Sequence, residues 1–182
     1  MAKEMSTDRA DCWPTAVSAV ALTTLLDEKL YYEVVRYAAR QSRQKESKAQ
    51  HAVIECLRYL YLISAYPKQL GGLFLPVEQS IDEIWHYLIL QTREYRALCE
   101  TSLPGRFFIE HRSMPYEEYR QSPSREQVIE EALRWLPLYR NTFGPFNEHA
   151  APHWTMVRFL REQMGLSLVQ IANLGYENLS RC

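Results

Sequence analysis

A chain of 182 residues, 47% hydrophobic and 24% charged, has an ordinary globular composition, which argues against a disordered polypeptide. A formal charge of −1 argues against the basic face or stripe of a nucleic-acid-binding domain. The four cysteines, Cys12, Cys56, Cys99 and Cys182, lie far apart, so there is no Cys-x-x-Cys pair for zinc or redox chemistry.

Residues 1–11 are polar and mixed in charge and are read as a mobile end, leaving 12–182 as one helical domain. The apolar run 16–26 is interrupted by Ser18, Thr23 and Thr24 and is too short to cross a bilayer. No signal-peptide layout surrounds it, so the expectation is a cytoplasmic protein with free thiols and no membrane association. A first short helix is predicted over 15–26, with Pro14 accommodated at its start.

From Asp27, the residues Leu30, Tyr31, Val34, Val35 and Ala38 follow amphipathic helical spacing, with Glu33, Arg36 and Arg40 outside the stripe. The polar run 41–48 is either a connector or a solvated extension of that helix. The next helix is predicted over 48–65, burying Val53, Cys56, Leu57, Leu60, Tyr61 and Ser64. Cys56 sits inside that stripe and reads as a small core residue. Pro67 and the Gly71-Gly72 pair end the helix.

Further on, Pro115 and Pro123 mark a loop, and Ser124 with Gln127 has capping-box spacing. The helix that follows has Val128, Ala132, Trp135, Leu136 and Tyr139 as apolar positions. Pro137 is expected to kink it or end it early, and Gly144-Pro145 stops it. A helix over 152–164 points Val157, Leu160 and Met164 inward, with Gly165 as its C-terminal signal. A last short helix spans 167–174. The run 164–174 has a helix-turn-helix look, but the eight residues after Leu174 are too few for a recognition helix. No stretch alternates with period two, so the expected fold is all-α. It is a single-domain bundle of about five to seven helices around a central helix near residues 77–101.

Projected at about 100° per residue, that central helix separates two faces. Val77, Ile81, Ile84, Leu88, Tyr95 and Cys99 share one; Asp82, His86, Ile89 and Arg93 lie nearly opposite, and Trp85 sits between. Such a helix is expected to be covered on both sides. Asp82 and His86 form an i, i+4 pair, in which a carboxylate can fix the imidazole tautomer, as in metal-binding and general-base histidines. The same spacing also makes ordinary structural hydrogen bonds. Cys99 is about 20 Å from His86 along a continuous helix and on another face, so it is assigned to the core.

His111 is a better partner. If the chain turns after Pro104-Gly105, the extended run 106–111 covers about 20 Å and returns to the level of His86. Two histidines and one carboxylate with open positions suit a catalytic zinc or a non-haem iron. Glu110 is a further candidate; Glu83 points away from His86. A second-choice cluster is Glu148, His149 and His153, although Pro152 disfavours one continuous helix through it. His51 reads as isolated and solvated. A glycine-rich phosphate loop, nucleophile elbow, HExxH and EF-hand are all absent from the sequence, which leaves nucleotide enzymes, serine hydrolases and common zinc proteases unsupported.

Pro76, the run Ile81-Asp82-Glu83-Ile84-Trp85-His86, Ile89-Leu90, Thr92, Tyr95, Cys99, Gly105 and His111 together resemble the glycine-rich-domain-containing-protein-like family. Tyr59-Leu60 and Tyr66-Pro67 upstream, and Leu138-Tyr139 and Phe143-Gly144 downstream, extend the resemblance over most of the chain. It departs at Leu88 and Glu110, where many members carry additional histidines, and the glycine-rich tail is absent. The resemblance implies a helical domain and brings no enzymatic activity with it.

Two functions are therefore expected. The first is an interaction or scaffold module for another protein, with Asp82, Trp85, His86 and His111 as a buried polar network that specifies the packing. The alternative is a metal-binding protein or metal-dependent enzyme holding zinc or iron at Asp82, His86 and His111.

Overall fold

Helix α2 (Glu28–Ser42) begins at an aspartate that can cap it. The Asp27 carboxylate accepts the Leu30 N–H at 2.9 Å, a contact worth about 1 kcal/mol. Leu30, Val34, Val35 and Ala38 are buried along the expected stripe, and Arg36 and Arg40 are exposed. Arg43 then takes a left-handed conformation at φ 52° and bonds back to the Ala39 and Arg40 carbonyls. The polar run 41–48 is thus divided: α2 takes its first two residues, a tight turn follows, and α3 (Glu46–Ala65) starts within it. The computed structural model describes residues 16–71, 75, 77–111 and 125–174. The 1–11 end, Cys12, Pro14, Thr15, Gly72, Pro76, Pro115, Pro123, Ser124 and Cys182 lie outside the described residues, as do the side chains of Gln127, Val128 and Ala132.

Helix α3 is the centre of the fold, in place of the 77–101 segment. Helix α1 (Ala19–Thr23), α2, α4 (Pro67–Leu70), α5 (Gln79–Leu90) and α7 (Arg125–Phe143) all pack on it. Val53, Cys56, Leu57, Leu60 and Ser64 are buried as their spacing predicts, while Glu55, Tyr59 and Leu62 are buried on its other sides. A single amphipathic stripe underestimates a helix enclosed by neighbours. Tyr61 is only partly buried. Helix α1 is shorter than the predicted 15–26, because Ser18 caps it by accepting the Ala21 N–H at 3.1 Å. Pro67 ends α3 but also opens α4 at its first position, where a missing N–H costs nothing.

The segment 77–101 is not one helix. Helix α5 stops at Gln91, whose ψ of 62° leaves the helical region. Helix α6 (Thr92–Ala97) and a π turn (Leu98–Ser102) continue from there. Ile81, Ile84, Trp85 and Leu88 on α5, and Tyr95, Leu98 and Cys99 beyond the break, are all buried. Among the described residues the expected cover on both sides is not found: Leu90 is 75% exposed, and His86 and Arg93 also face outward.

Pro137 does not end α7, which runs on to Phe143. The lost backbone bond is outweighed by Trp135, Leu136, Leu138 and Tyr139, buried on both sides of the proline. Gly144, at φ +86°, closes the helix. The predicted 152–164 helix is two pieces, a 3-10 turn (Ala151–His153) and α8 (Thr155–Glu162), with Trp154 between them. Val157 and Leu160 are buried, but Met164 is 43% exposed because α8 has already ended. Helix α9 (Leu168–Asn173) carries a full capping box between Ser167 and Gln170. Among the described residues the only extended pairing is an isolated bridge between Val77 and Trp154. The fold is all-α around one shared core.

Candidate metal centre

Two local devices return His111 to α5. The first is the Pro104-Gly105 turn. Gly105 donates its N–H to Ser64 Oγ at 2.9 Å, and a Cβ at this position would run into the Ser64 carbonyl and the Phe107 ring. A residue without a side chain is what lets this turn dock on the end of α3. Arg106, at φ 52°, completes the reversal.

The second device is a buried polar relay. The Trp85 indole N–H donates to Tyr95 Oη at 2.8 Å, and the Tyr95 hydroxyl donates to the Ile109 carbonyl at 2.7 Å. Burial is the main cause that pushes the Tyr95 phenol well above its ordinary range, so it stays a donor. Ile109 itself is 4% exposed, which leaves His111 two residues on, its ring 4.4 Å from that of Trp85.

Asp82, His86 and His111 then converge. His111 Nε2 lies 3.2 Å from Asp82 Oδ1, and His86 Nδ1 lies 3.3 Å from Asp82 Oδ2. His86 Nδ1 is also 2.8 Å from the Asp82 backbone carbonyl. The two imidazole centroids are 4.3 Å apart. One donor atom from each of the three residues falls within 4.8 Å of the other two, the only such group among the described residues. A proton on His86 Nδ1, given to the carbonyl, fixes the tautomer and leaves the lone pair on Nε2.

Position in the molecule separates these groups from a packing network. The Asp82 and His86 side chains are 44% and 47% exposed, and His111 is 14% exposed. The cluster is therefore at the surface, with only its His111 edge covered, and not in the core. Trp85 is buried but spends its N–H on Tyr95 instead of on Asp82 or the histidines. Cys99 is fully buried although the helix breaks between it and His86, and burial pushes its thiol up. Cys56 is likewise enclosed and raised. Glu83 is held by Gln79 Nε2 at 2.7 Å, and Glu110 is exposed; neither joins the three donors.

The second-choice residues do not form one ligand set. Glu148 is bound by Arg161 at 2.8 and 3.2 Å. His149 stacks on His51, with centroids 4.3 Å apart and planes 3° from parallel. His51 is thus not isolated, as the sequence suggested. His153 Nδ1 lies 2.9 Å from Ser80 Oγ.

A different polar cluster, centred on Glu55, is not apparent from sequence spacing. Its carboxylate accepts from Arg58 at 2.8 Å, from the Tyr139 hydroxyl at 2.9 Å and from the Trp154 indole at 2.9 Å. Burial pushes the Glu55 carboxyl up, and the charge of Arg58 with the hydrogen bonds from Trp154, Tyr139 and Arg58 pulls it back. Its only local signal is a glutamate on the otherwise apolar side of α3. Arg58 is three residues on, but the other two partners are 84 and 99 residues away, beyond any periodicity.

Comparison with known protein families, with characterised proteins and with solved structures returned no match to this chain.

Proposed function

We propose that this protein binds one divalent transition-metal ion, zinc or ferrous iron, through Asp82, His86 and His111. The observation that carries the reading is the convergence of three donor atoms within 4.8 Å at a partly open surface. Two imidazoles and a carboxylate match the donor preferences of both metals and leave coordination positions for water or substrate. Held there, the ion would polarise a bound oxygen and make bound water more acidic. The protein's share is positioning: the Asp82 carbonyl orients His86, and the Trp85–Tyr95–Ile109 relay holds the return segment that carries His111. Membership of the glycine-rich-domain-containing-protein-like family is proposed on the Asp-x-x-Trp-His run. A cytoplasmic location is proposed on the widely separated cysteines, of which Cys56 and Cys99 are free and buried.

One observation favours the other reading, an interaction or scaffold module for a partner protein. The same relay would hold the 103–111 return in place even if the histidines never met a metal. Metal analysis of protein purified without a histidine tag separates the two. About one equivalent of zinc or iron, lost in a folded His86→Ala variant, is the expected result. A chain that carries no metal, and that unfolds on His86→Ala, supports the interaction module instead.

A further inference from the structure

Helices α2, α3 and α5 and the 148–153 turn enclose an open cavity of about 330 Å³, on a different face of α5 from the three metal donors. Three of the chain's five histidines meet at it, each from a different place: His51 from α3, His149 from the turn and His153 from the 3-10 segment. Ser80 reaches it from α5 and already touches His153. Ala38, Ala49, Ala52, Ile84 and Pro152 give the lining its apolar part, beside the polar Gln41, Ser42 and Gln44.

Parallel imidazoles at 4.3 Å repel when both are charged. Burial and the neighbouring His149 lower the proton affinity of His51, and burial and His51 lower that of His153. An oxyanion entering the cavity reverses both effects, because it accepts N–H bonds and supplies the missing counter-charge. The other charged groups at the site permit this. Lys48 from α3 adds a cation at the rim. Glu148 is engaged by Arg161, Glu83 by Gln79 and Glu78, which faces His153, by Arg158 at 2.7 Å. Tyr37 from α2 is stacked on Tyr87.

We propose that this cavity binds a small organic anion, with a phosphate or carboxylate head on His51, His149, His153 and Ser80 and a short apolar body against Ala52 and Ile84. The cavity is at the small end of the range for ligand sites. Because the protonated imidazoles are the binding form, affinity declines as pH rises through the histidine range. The site is independent of the proposed metal centre, and its test uses metal-stripped protein.

Histidine proton resonances are followed while inorganic phosphate or phenyl phosphate is added to the full chain at mildly acidic pH. The expected result is saturable shifts at His51, His149 and His153, with His86 and His111 unmoved. Phenyl phosphate should bind more tightly than inorganic phosphate. His51→Gln, an exposed change that leaves the fold intact, should weaken binding about tenfold or more, the loss of one charge-assisted contact. Shifts that never saturate, that spread equally over all the histidines, or that are unchanged in both His51→Gln and Ser80→Ala would overturn the site. Equal affinity for the two phosphates would overturn its assignment to an organic anion.

Discussion

The Glu55 cluster and the Asp82 cluster contain the same kind of groups, a carboxylate among nitrogen donors, yet one is sealed and the other open. Glu55 is 3% exposed, and Arg58, Tyr139 and Trp154 all donate to its carboxylate. The Asp82 and His86 side chains are nearly half exposed. A carboxylate enclosed by three donors contributes to packing and has little freedom for chemistry. A half-open carboxylate between two imidazoles contributes little to stability and has room for a ligand. Proximity of polar residues alone does not distinguish them; accessibility does.

That contrast is broken most severely at Glu55. Glu55→Leu removes the carboxylate paired with Arg58, which is only 11% exposed, and takes the acceptor from the Tyr139 hydroxyl and the Trp154 indole, leaving Tyr139 only the bond it accepts from Arg58. A loss of about 3–5 kcal/mol in urea denaturation is expected, the usual cost of unpairing a buried charge. Tyr95→Phe is next. It strands the Trp85 N–H and the Ile109 carbonyl, costing about 1–3 kcal/mol. Because it also loosens the segment bearing His111, zinc affinity should fall about 10- to 100-fold, as for other orienting groups around a metal. A Tyr95→Phe protein that loses stability but keeps full affinity would separate the relay from the site.

Gly105→Ala should cost about 1–3 kcal/mol through its collision with the Ser64 carbonyl, again read by denaturation. His86→Ala and Asp82→Asn sharpen the comparison from the other side. Both should stay folded, with melting curves close to the parent in the absence of metal, as is usual for surface changes.

The smallest effect is in the pH dependence of stability. His153 binds protons less readily in the folded chain than at its ordinary value of 6.5, because burial and His51 oppose its charge. Between the lowered folded value and 6.5 the unfolded chain holds more protons, so stability is complete above that window and declines as pH falls through it. Denaturation midpoints measured on the acid side should show the decline, and His51→Gln should lessen it.

Much of this fold could be read from spacing because its signals are local. The α2 stripe that follows Asp27 and the short last helix within 167–174 are each set within a few turns. The Asp82–His86 pair and the Gly105 turn belong to the same class, which is why the approach of His111 could be anticipated. What could not be read depends on distant chain. Pro137 is tolerated because the side chains around it are buried against other elements. The break at Gln91 separates residues that a regular helix would have kept in phase. His51 meets His149, and Glu55 meets Trp154, across nearly a hundred residues, where no periodicity reaches.

The central claim is that the open cluster is a ligand site and not part of the packing. Zinc titration of untagged, metal-stripped protein by calorimetry, beside His86→Ala, tests it most directly. The account predicts saturation at about one equivalent, with zinc raising the melting temperature as expected for a ligand that binds only the folded chain. In His86→Ala both responses should be lost while its metal-free melting curve stays that of the parent. No saturable heat and no change in melting temperature in the parent protein would contradict it.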